Sequence, residues 1–102
     1  MDTEQVAANV YAALRTMLDP ELGLDVVELG LVYRLEVDEN GQVQVDLTMT
    51  TPACPLGEEL ARQAEENILG VENVTGAAVR LVWDPPWTPA RMSDSAREAL
   101  GW

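Results

Sequence analysis

The sequence predicts an α+β fold, a two-layer sandwich in which a three-stranded mixed sheet carries two helices on one face. Two segments alternate apolar and polar residues around Asn40-Gly41, which predicts an antiparallel hairpin. Apolar residues at helical spacing precede the hairpin and follow it. A third strand after the second helix completes a β-α-β unit, whose strands are expected to be parallel with a right-handed crossover. The order is α-β-β-α-β plus a short C-terminal helix, which fits a single domain over residues 1–102.

The first helix is predicted over residues 3–18, because apolar residues recur there at helical spacing. Asp2 and Gln5 form the pattern of a capping box at its start, and Asp19-Pro20 is expected to end it. Residues 19–30 have no sustained period and contain one proline and two glycines, so we expect a structured loop. The apolar positions of the helix are Val6, Val10, Leu14, Met17 and Leu18.

The two hairpin strands each have one apolar face. Asn40-Gly41 lies between them and predicts a type I′ turn, in which both central residues have positive φ. The apolar positions are Leu31, Tyr33, Leu35 and Val37 in the first strand, and Val43, Val45, Leu47 and Met49 in the second.

The second half of the chain predicts a helix, a strand and a short final helix. Pro55 suits the first turn of the second helix, and Gly70 its C-terminal cap. Ser93 is expected to cap the last helix, and Gly101 to close it. The apolar stripe of the second helix is Leu56, Leu60, Ala64 and Ile68, and the third strand is marked by Val79, Leu81 and Trp83.

Residues 83–102 form a tail rich in tryptophan and proline, and it contains all three tryptophans of the chain. Large aromatic side chains on such a tail are frequent anchors of protein interfaces. Alternatively, the tail folds back and covers the open face or an edge of the sheet. The sequence leaves both interpretations open, although the second is the more common outcome.

The composition restricts the classes of function. The chain has 6 basic residues, all arginine, against 18 acidic ones, for a net charge of −12. Such a surface repels phosphate backbones, so we expect no nucleic-acid binding and expect partners that are basic or that dock through apolar patches. No apolar run is long enough to span a membrane and no secretory signal is evident, so the sequence predicts a cytoplasmic protein.

Cys54 is the only cysteine, and the chain has no histidine. It lies where the second strand pattern ends and a helix pattern begins, and a helix start stabilises a thiolate. Thr50 and Thr51 share this turn and would hydrogen-bond a sulfur or a bound anion, so the three residues form a candidate site for a cofactor or metal. In the alternative, the threonines cap the helix and Cys54 is a small buried apolar residue.

Asp19 and Glu21 form a second candidate, because Pro20 favours an extended backbone in which residues two apart point the same way. Two carboxylates there would orient a metal or act as acid and base. In the alternative, they are solvated acids in a turn that ends the helix.

Neither candidate makes a complete metal site, because structural zinc takes four N or S ligands and a [2Fe–2S] cluster usually takes four cysteines. Two subunits meeting near Cys54, or one subunit meeting a cysteine of a client protein, would bridge a labile cluster. No glycine-rich nucleotide signature is present, so we expect no nucleotide cofactor. A Ser-His-Asp or Cys-His hydrolase is excluded, because the chain has no histidine.

Three blocks, in order and with matching spacing, resemble the iron–sulfur assembly domain family of SufT-like and PaaD-like small proteins. They are DPELGLDVVELGLVY, TMTTPACP and VWDPPWTPARMSDSAREALG, and the resemblance spans roughly residues 6–101. The match is closest to the stand-alone SufT-like members. PaaD-like proteins usually carry a further cysteine-rich segment after these blocks, which this sequence lacks.

The resemblance implies an accessory, non-enzymatic role in assembling or delivering iron–sulfur clusters, with cluster scaffolds and client apoproteins as partners. The family pattern matches at Asp19, Glu21 and Leu22 in the first block, and at Thr50, Thr51 and Cys54 in the second. A transient iron–sulfur cluster or iron is the implied cofactor, and a homodimer is an expected assembly. Two other hypotheses stay open: a metal-free adaptor for an oxygenase or other client complex, and a small enzyme with Cys54 as nucleophile.

Overall fold

The structure is a computed structural model that describes residues 2–19, 22–50 and 57–102. Its three described strands form one sheet in the order β1-β2-β3. Strand β1 is antiparallel to β2, and β3 is parallel to β2. The α+β sandwich predicted from the sequence is therefore confirmed. In chain order the elements are α1 (Thr3–Leu14), β1 (Val32–Val37), β2 (Gln42–Leu47), α2 (Gly57–Leu69), β3 (Gly76–Leu81), a 3-10 turn (Pro89–Arg91) and α3 (Asp94–Leu100).

The core lies between the sheet and the two long helices. Helix α1 packs against β1 and α2, and α2 packs against β3. On β2 every second residue is buried and the residues between them are more exposed, because successive side chains of a strand point to opposite faces. The central buried side chains of this core are Val10, Leu14, Val43, Val45, Leu47, Ala64 and Ile68.

Helix α1 begins as predicted and ends earlier than predicted. The carboxylate of Asp2 accepts hydrogen bonds from the backbone amides of Glu4 and Gln5 and caps the helix. The prediction that the helix reaches Leu18 is wrong, because the Thr16 hydroxyl and amide both bond the carbonyl of Ala13 and turn the chain out of the helix. Leu18 then forms a β-bridge with Asp25 and is 58% exposed.

The hairpin is confirmed, but its predicted type I′ turn is wrong. Gly41 has a φ of +84°, whereas Asn40 is not among the residues of positive φ. The amide of Gly41 donates to the carbonyl of Asp38, so the connection is a three-residue loop that ends in a left-handed glycine. The Asp38 carboxylate accepts from the amides of Asn40 and Gln42 and stabilises this alternative turn.

Helix α2 lies along β3 and ends at Leu69, as the sequence predicted. Gly70, however, does not adopt the left-handed conformation typical of a capping glycine. On the exposed edge of β3, the amide of Val79 donates to the carboxylate of Glu65 on α2, at 3.0 Å. A helix side chain therefore accepts the hydrogen bond of a backbone N–H group on this edge strand.

The third strand ends earlier than the alternation pattern suggested. Strand β3 ends at Leu81, and the amide of Val82 makes the next hydrogen bond to the carbonyl of Leu47. The prediction that Trp83 belongs to the strand is therefore wrong. The short C-terminal helix is confirmed, with Ser93 as its N-terminal cap and Gly101 as its C-terminal cap. In the described parts of the chain, no helix has the length and apolar character needed to cross a membrane.

Candidate functional site

A small cleft lies where β2 ends. One wall is formed by Thr48, Met49 and Thr50, which continue β2 towards α2, and the opposite wall comes from Trp83, Pro86 and Trp87 of the tail. The cavity measures about 140 Å³ and is more apolar than polar. Thr50, one of the predicted site residues, lines it. The carboxyl end of a strand that leads into a crossover helix is a frequent ligand site in α/β architectures.

Hydrogen bonds hold the tail across this end of the sheet. The indole N–H of Trp87 donates to the carbonyl of Leu29 at 2.7 Å, and the Tyr33 hydroxyl donates to the carbonyl of Pro85 at 2.9 Å. Gly30 lies so close to the tail that an added Cβ would be 2.1 Å from the carbonyl oxygen of Arg91. Trp87 is therefore fixed against the loop that precedes β1, and its ring is part of a preformed wall.

Glu28 ties the same loop to the last helix. Its carboxylate accepts hydrogen bonds from the Ser93 hydroxyl and from Arg15, the latter at 2.9 Å, and its carbonyl accepts from the Ser93 amide. The hydrogen bond from Ser93, then the hydrogen bond and charge of Arg15, lower the pKa of Glu28 below its usual value. The ionised form of Glu28 therefore favours the docked tail.

Asp19 is fully buried, which a solvated turn residue would not be. Its carboxylate accepts from the amide of Leu22 at 3.1 Å, and its own amide donates to the carbonyl of Leu24 at 2.8 Å. Asp19 thus holds the segment over residues 22–24 through these hydrogen bonds. It is not among the described residues that line the cleft with Thr50.

The other predicted site residues, Glu21, Thr51 and Cys54, lie outside the described residues, as do Pro20 and Pro55. Cys54 belongs to the connection between Thr50 and Gly57. Gly57 begins α2 in the core, where an added Cβ would lie 3.3 Å from the Leu81 side chain and 3.4 Å from that of Met49. Within residues 2–19, 22–50 and 57–102, no group of three or more Cys, Asp or Glu is arranged to hold a metal ion.

Comparison with known proteins decides the family. The sequence profile of the family described as "Iron-sulfur cluster assembly protein" matches residues 7–80, well over half of the chain. The chain belongs to this iron–sulfur cluster assembly family. The resemblance found in the three sequence blocks is therefore confirmed.

Relatives of this iron–sulfur assembly family member match over most of their length. The Fe-S protein maturation auxiliary factor YitW of Bacillus subtilis is 39% identical over 98 residues, which cover 96% of each chain. The auxiliary factor SufT of Staphylococcus aureus is 42% identical over 85 residues, 83% of this chain and 97% of that protein. Both names describe maturation factors for iron–sulfur proteins.

Solved structures of similar sequence share the fold. A crystal structure of a domain of unknown function from Bacillus anthracis has a TM-score of 0.90 and 39% identity, covering 97% of this chain and 94% of that one. A solution structure from Mycobacterium tuberculosis, described as a protein associated with [Fe-S] complex assembly and repair, has a TM-score of 0.54 and 39% identity, covering 97% and 88%.

Sequence reasoning missed several residues that organise the site of this iron–sulfur assembly domain. It did not single out Leu29 or Glu28, because their contacts with the tail join residues 58 and 65 positions apart. It also missed Arg15, which pairs with Glu28 over 13 positions. One signal was present, since a partly buried tryptophan needs an acceptor for its indole N–H. The sequence alone gave no way to identify that acceptor as the carbonyl of Leu29.

Proposed function

We propose that this protein is a non-enzymatic accessory factor that helps to mature iron–sulfur proteins, and that it acts in the cytoplasm at the β2 end of the sheet. The observation that carries this proposal is the meeting of the three sequence blocks there. Leu29 of the first block bonds Trp87 of the third, and Trp87 faces Thr48–Thr50 of the second across the cleft. Membership of the iron–sulfur assembly family and the names of the relatives support the pathway.

Cys54 is the residue assigned to contact the cluster. Its thiolate serves as a transient ligand, or as the group that contacts a client, and the hydroxyls of Thr50 and Thr51 donate hydrogen bonds to sulfur. Asp19 and Glu21 shape the metal site from the adjoining segment in this proposal. The buried hydrogen bonds of Asp19 support a positioning role for that residue.

The single thiol explains why the cluster would be cargo rather than a resident group. This chain has one cysteine and no histidine, whereas a [2Fe–2S] cluster usually takes four cysteine ligands. The remaining ligands must come from another chain, which is a scaffold, a client apoprotein or a second copy of this protein. Incomplete ligation keeps the cluster labile and therefore transferable.

Anaerobic reconstitution with iron and sulfide tests direct ligation. The purified protein and its Cys54→Ser variant are compared by absorption spectra and iron counting. About one cluster per two chains in the parent, and none in the variant, is the result expected from a cluster bridged by two thiols. No cluster in either protein would exclude ligation by a homodimer and leave transfer only within a complex with a client.

A metal-free adaptor is the second candidate, and the aromatic cleft favours it because tryptophan and proline walls suit peptide recognition. The two candidates differ in their need for the thiol. Activation of a client iron–sulfur enzyme in cells that carry Cys54→Ala is lost if Cys54 handles the cluster, and it persists if the protein only recruits its client.

A further inference from the structure

Trp83 presents an unusual amount of aromatic surface beside the cleft. It is 42% exposed, although it lines a cavity with Pro86 and Trp87. Within the described parts of the chain its indole N–H has no hydrogen-bond partner, unlike that of Trp87. The neighbouring residue in the chain, Asp84, is also exposed and carries a negative charge. Among the described residues, the cleft therefore offers an open aromatic face and an indole N–H donor, and an exposed carboxylate follows directly in the chain.

The charges of the molecule indicate that a binding partner is positively charged. The chain has six basic residues, and the structure engages every one of them internally. Five form ion pairs with acidic side chains, and the sixth, Arg91, stacks over the ring of Tyr33 at 4.3 Å from its centroid. The five ion-paired residues are Arg15, Arg34, Arg62, Arg80 and Arg97.

The surplus of carboxylates consequently has no arginine of this chain left to pair with. Leaving Asp19 aside, the acidic side chains with a cation of their own chain within 4 Å, among the described residues, are those in the ion pairs. Asp84 is one of the acidic residues that lack such a cation. A binding partner that brings positive charge to this surface would lower the electrostatic self-repulsion of a chain with a net charge of −12.

We propose that the cleft between Thr48–Thr50 and Trp83–Trp87 binds a basic segment of a partner protein, with an arginine or lysine side chain stacked on Trp83 and directed towards Asp84. This inference adds the chemistry of the docking segment to the proposed function. It rests on the proposed function for the identity of the partner, which is a scaffold or a client. The cation lies on the indole face within about 6 Å of the ring centroid, the geometry of a cation–π contact. The Trp83 indole N–H donates to a backbone carbonyl of the segment.

Preorganisation favours binding in this cleft. Trp87 is already fixed by its hydrogen bond to Leu29, so one wall loses little conformational freedom when the segment binds. The stacking of Arg91 on Tyr33 shows the same type of contact inside the molecule. The arrangement also brings the bound segment close to Thr50, at the start of the connection that contains Cys54.

The test is a titration of the full chain, followed through the three indole N–H signals in ¹H–¹⁵N NMR spectra. The probe is a blocked tetra-arginine peptide, and a tetra-citrulline peptide serves as its uncharged control of the same shape. We expect tetra-arginine to shift the Trp83 signal strongly and the Trp102 signal little, and tetra-citrulline to bind at least about tenfold more weakly.

Two pairs of variants test whether the peptide binds in the cleft. Trp83→Ala should weaken tetra-arginine binding about tenfold, whereas Trp102→Ala, which removes an exposed tryptophan of the same tail, should leave it unchanged. Asp84→Asn should weaken binding about threefold, whereas Glu98→Gln, which removes the same charge elsewhere on the tail, should not.

Equal binding of the two peptides, equal shifts of Trp83 and Trp102, or equal affinities of the two tryptophan variants would each overturn the proposal, because they indicate general attraction to an acidic surface. These outcomes are independent of the Cys54 experiments. If cluster reconstitution or client activation depends on Cys54 while the peptide fails to bind, the proposed function stands and only the basic docking segment is wrong.

Discussion

Substituting Gly30 with alanine should detach the tail from the loop that precedes β1. Gly30 has a φ of +73°, and a Cβ there would lie 2.1 Å from the carbonyl oxygen of Arg91 and 2.7 Å from its carbonyl carbon. Real Cβ atoms essentially never approach other atoms closer than 3.0 Å, so the Gly30 loop and the tail must separate by at least 0.9 Å. Backbone atoms cannot avoid the clash by a change of rotamer.

Two costs add in this variant. A left-handed backbone conformation costs an alanine about 1–2 kcal/mol relative to glycine. Forcing an extra methyl group into a packed contact costs about 1–3 kcal/mol more. We therefore expect Gly30→Ala to lower the free energy of unfolding by about 2–5 kcal/mol, or to release the tail and avoid the second cost.

Gly23→Ala is the matched control, because Gly23 has a φ of +72° and no atom within 4 Å of the added Cβ. It should lose only the conformational cost, about 1–2 kcal/mol. Urea unfolding followed by circular dichroism gives both values, and the fluorescence of the native proteins shows whether Trp87 becomes exposed. Equal destabilisation of the two variants, with unchanged tryptophan emission, would refute the argument that Arg91 packs against Gly30.

Three further predictions concern the same contacts and the first helix. Trp87→Phe keeps an aromatic ring but leaves the carbonyl of Leu29 without its donor, so thermal unfolding should show a loss of about 1–2 kcal/mol. The lowered pKa of Glu28 means that its hydrogen bond from Ser93 stabilises the docked tail above about pH 4.5 and is lost as the pH falls through the lowered value. Glu28→Gln should remove that acid-dependent step from tryptophan fluorescence, and a persisting step would assign it to another group. Asp2→Ala should cost about 1 kcal/mol in urea unfolding, because it removes the N-terminal cap of α1, and no loss would contradict the capping role.

The sequence predicted the elements better than it predicted their ends. Alternation and helical spacing identified the three strands and three α-helices that the structure describes, because each pattern reflects one buried face, but not the 3-10 turn at Pro89–Arg91. The end of α1 depended on a side-chain hydrogen bond to a nearby backbone group, and the sequence pattern does not show whether such a bond forms. Met17 and Leu18 continue the apolar spacing of α1, yet the Thr16 hydroxyl bonds Ala13 and turns the chain. At the hairpin, the Asp38 carboxylate similarly favoured a turn other than the one typical of Asn-Gly.

Only part of the candidate site could be predicted from the sequence, and the reason differs from that for the helix ends. Thr50 was found because it follows a strand and precedes a helix, a relation visible within one short block. The opposite wall of the cleft comes from a segment more than 30 residues later. The tail had two interpretations, and Trp87 follows the one in which it folds back, whereas Trp83 and Trp102 keep substantial exposed surface. Periodicity carries no information on such long-range docking, because it depends on single hydrogen bonds to backbone carbonyls.

The hydrogen bond between Glu65 and the amide of Val79 restricts how this sheet can grow. An incoming strand that pairs along β3 must first displace the carboxylate, and a second acidic chain offers that carboxylate no compensating charge. Fibre-like stacking and strand exchange are thus disfavoured along β3. The proposed bridging of a cluster by two Cys54 thiols therefore favours a contact between copies that does not extend the sheet along β3. Extended segments of other proteins are also potential partner strands, so the Glu65 carboxylate protects this edge from them as well.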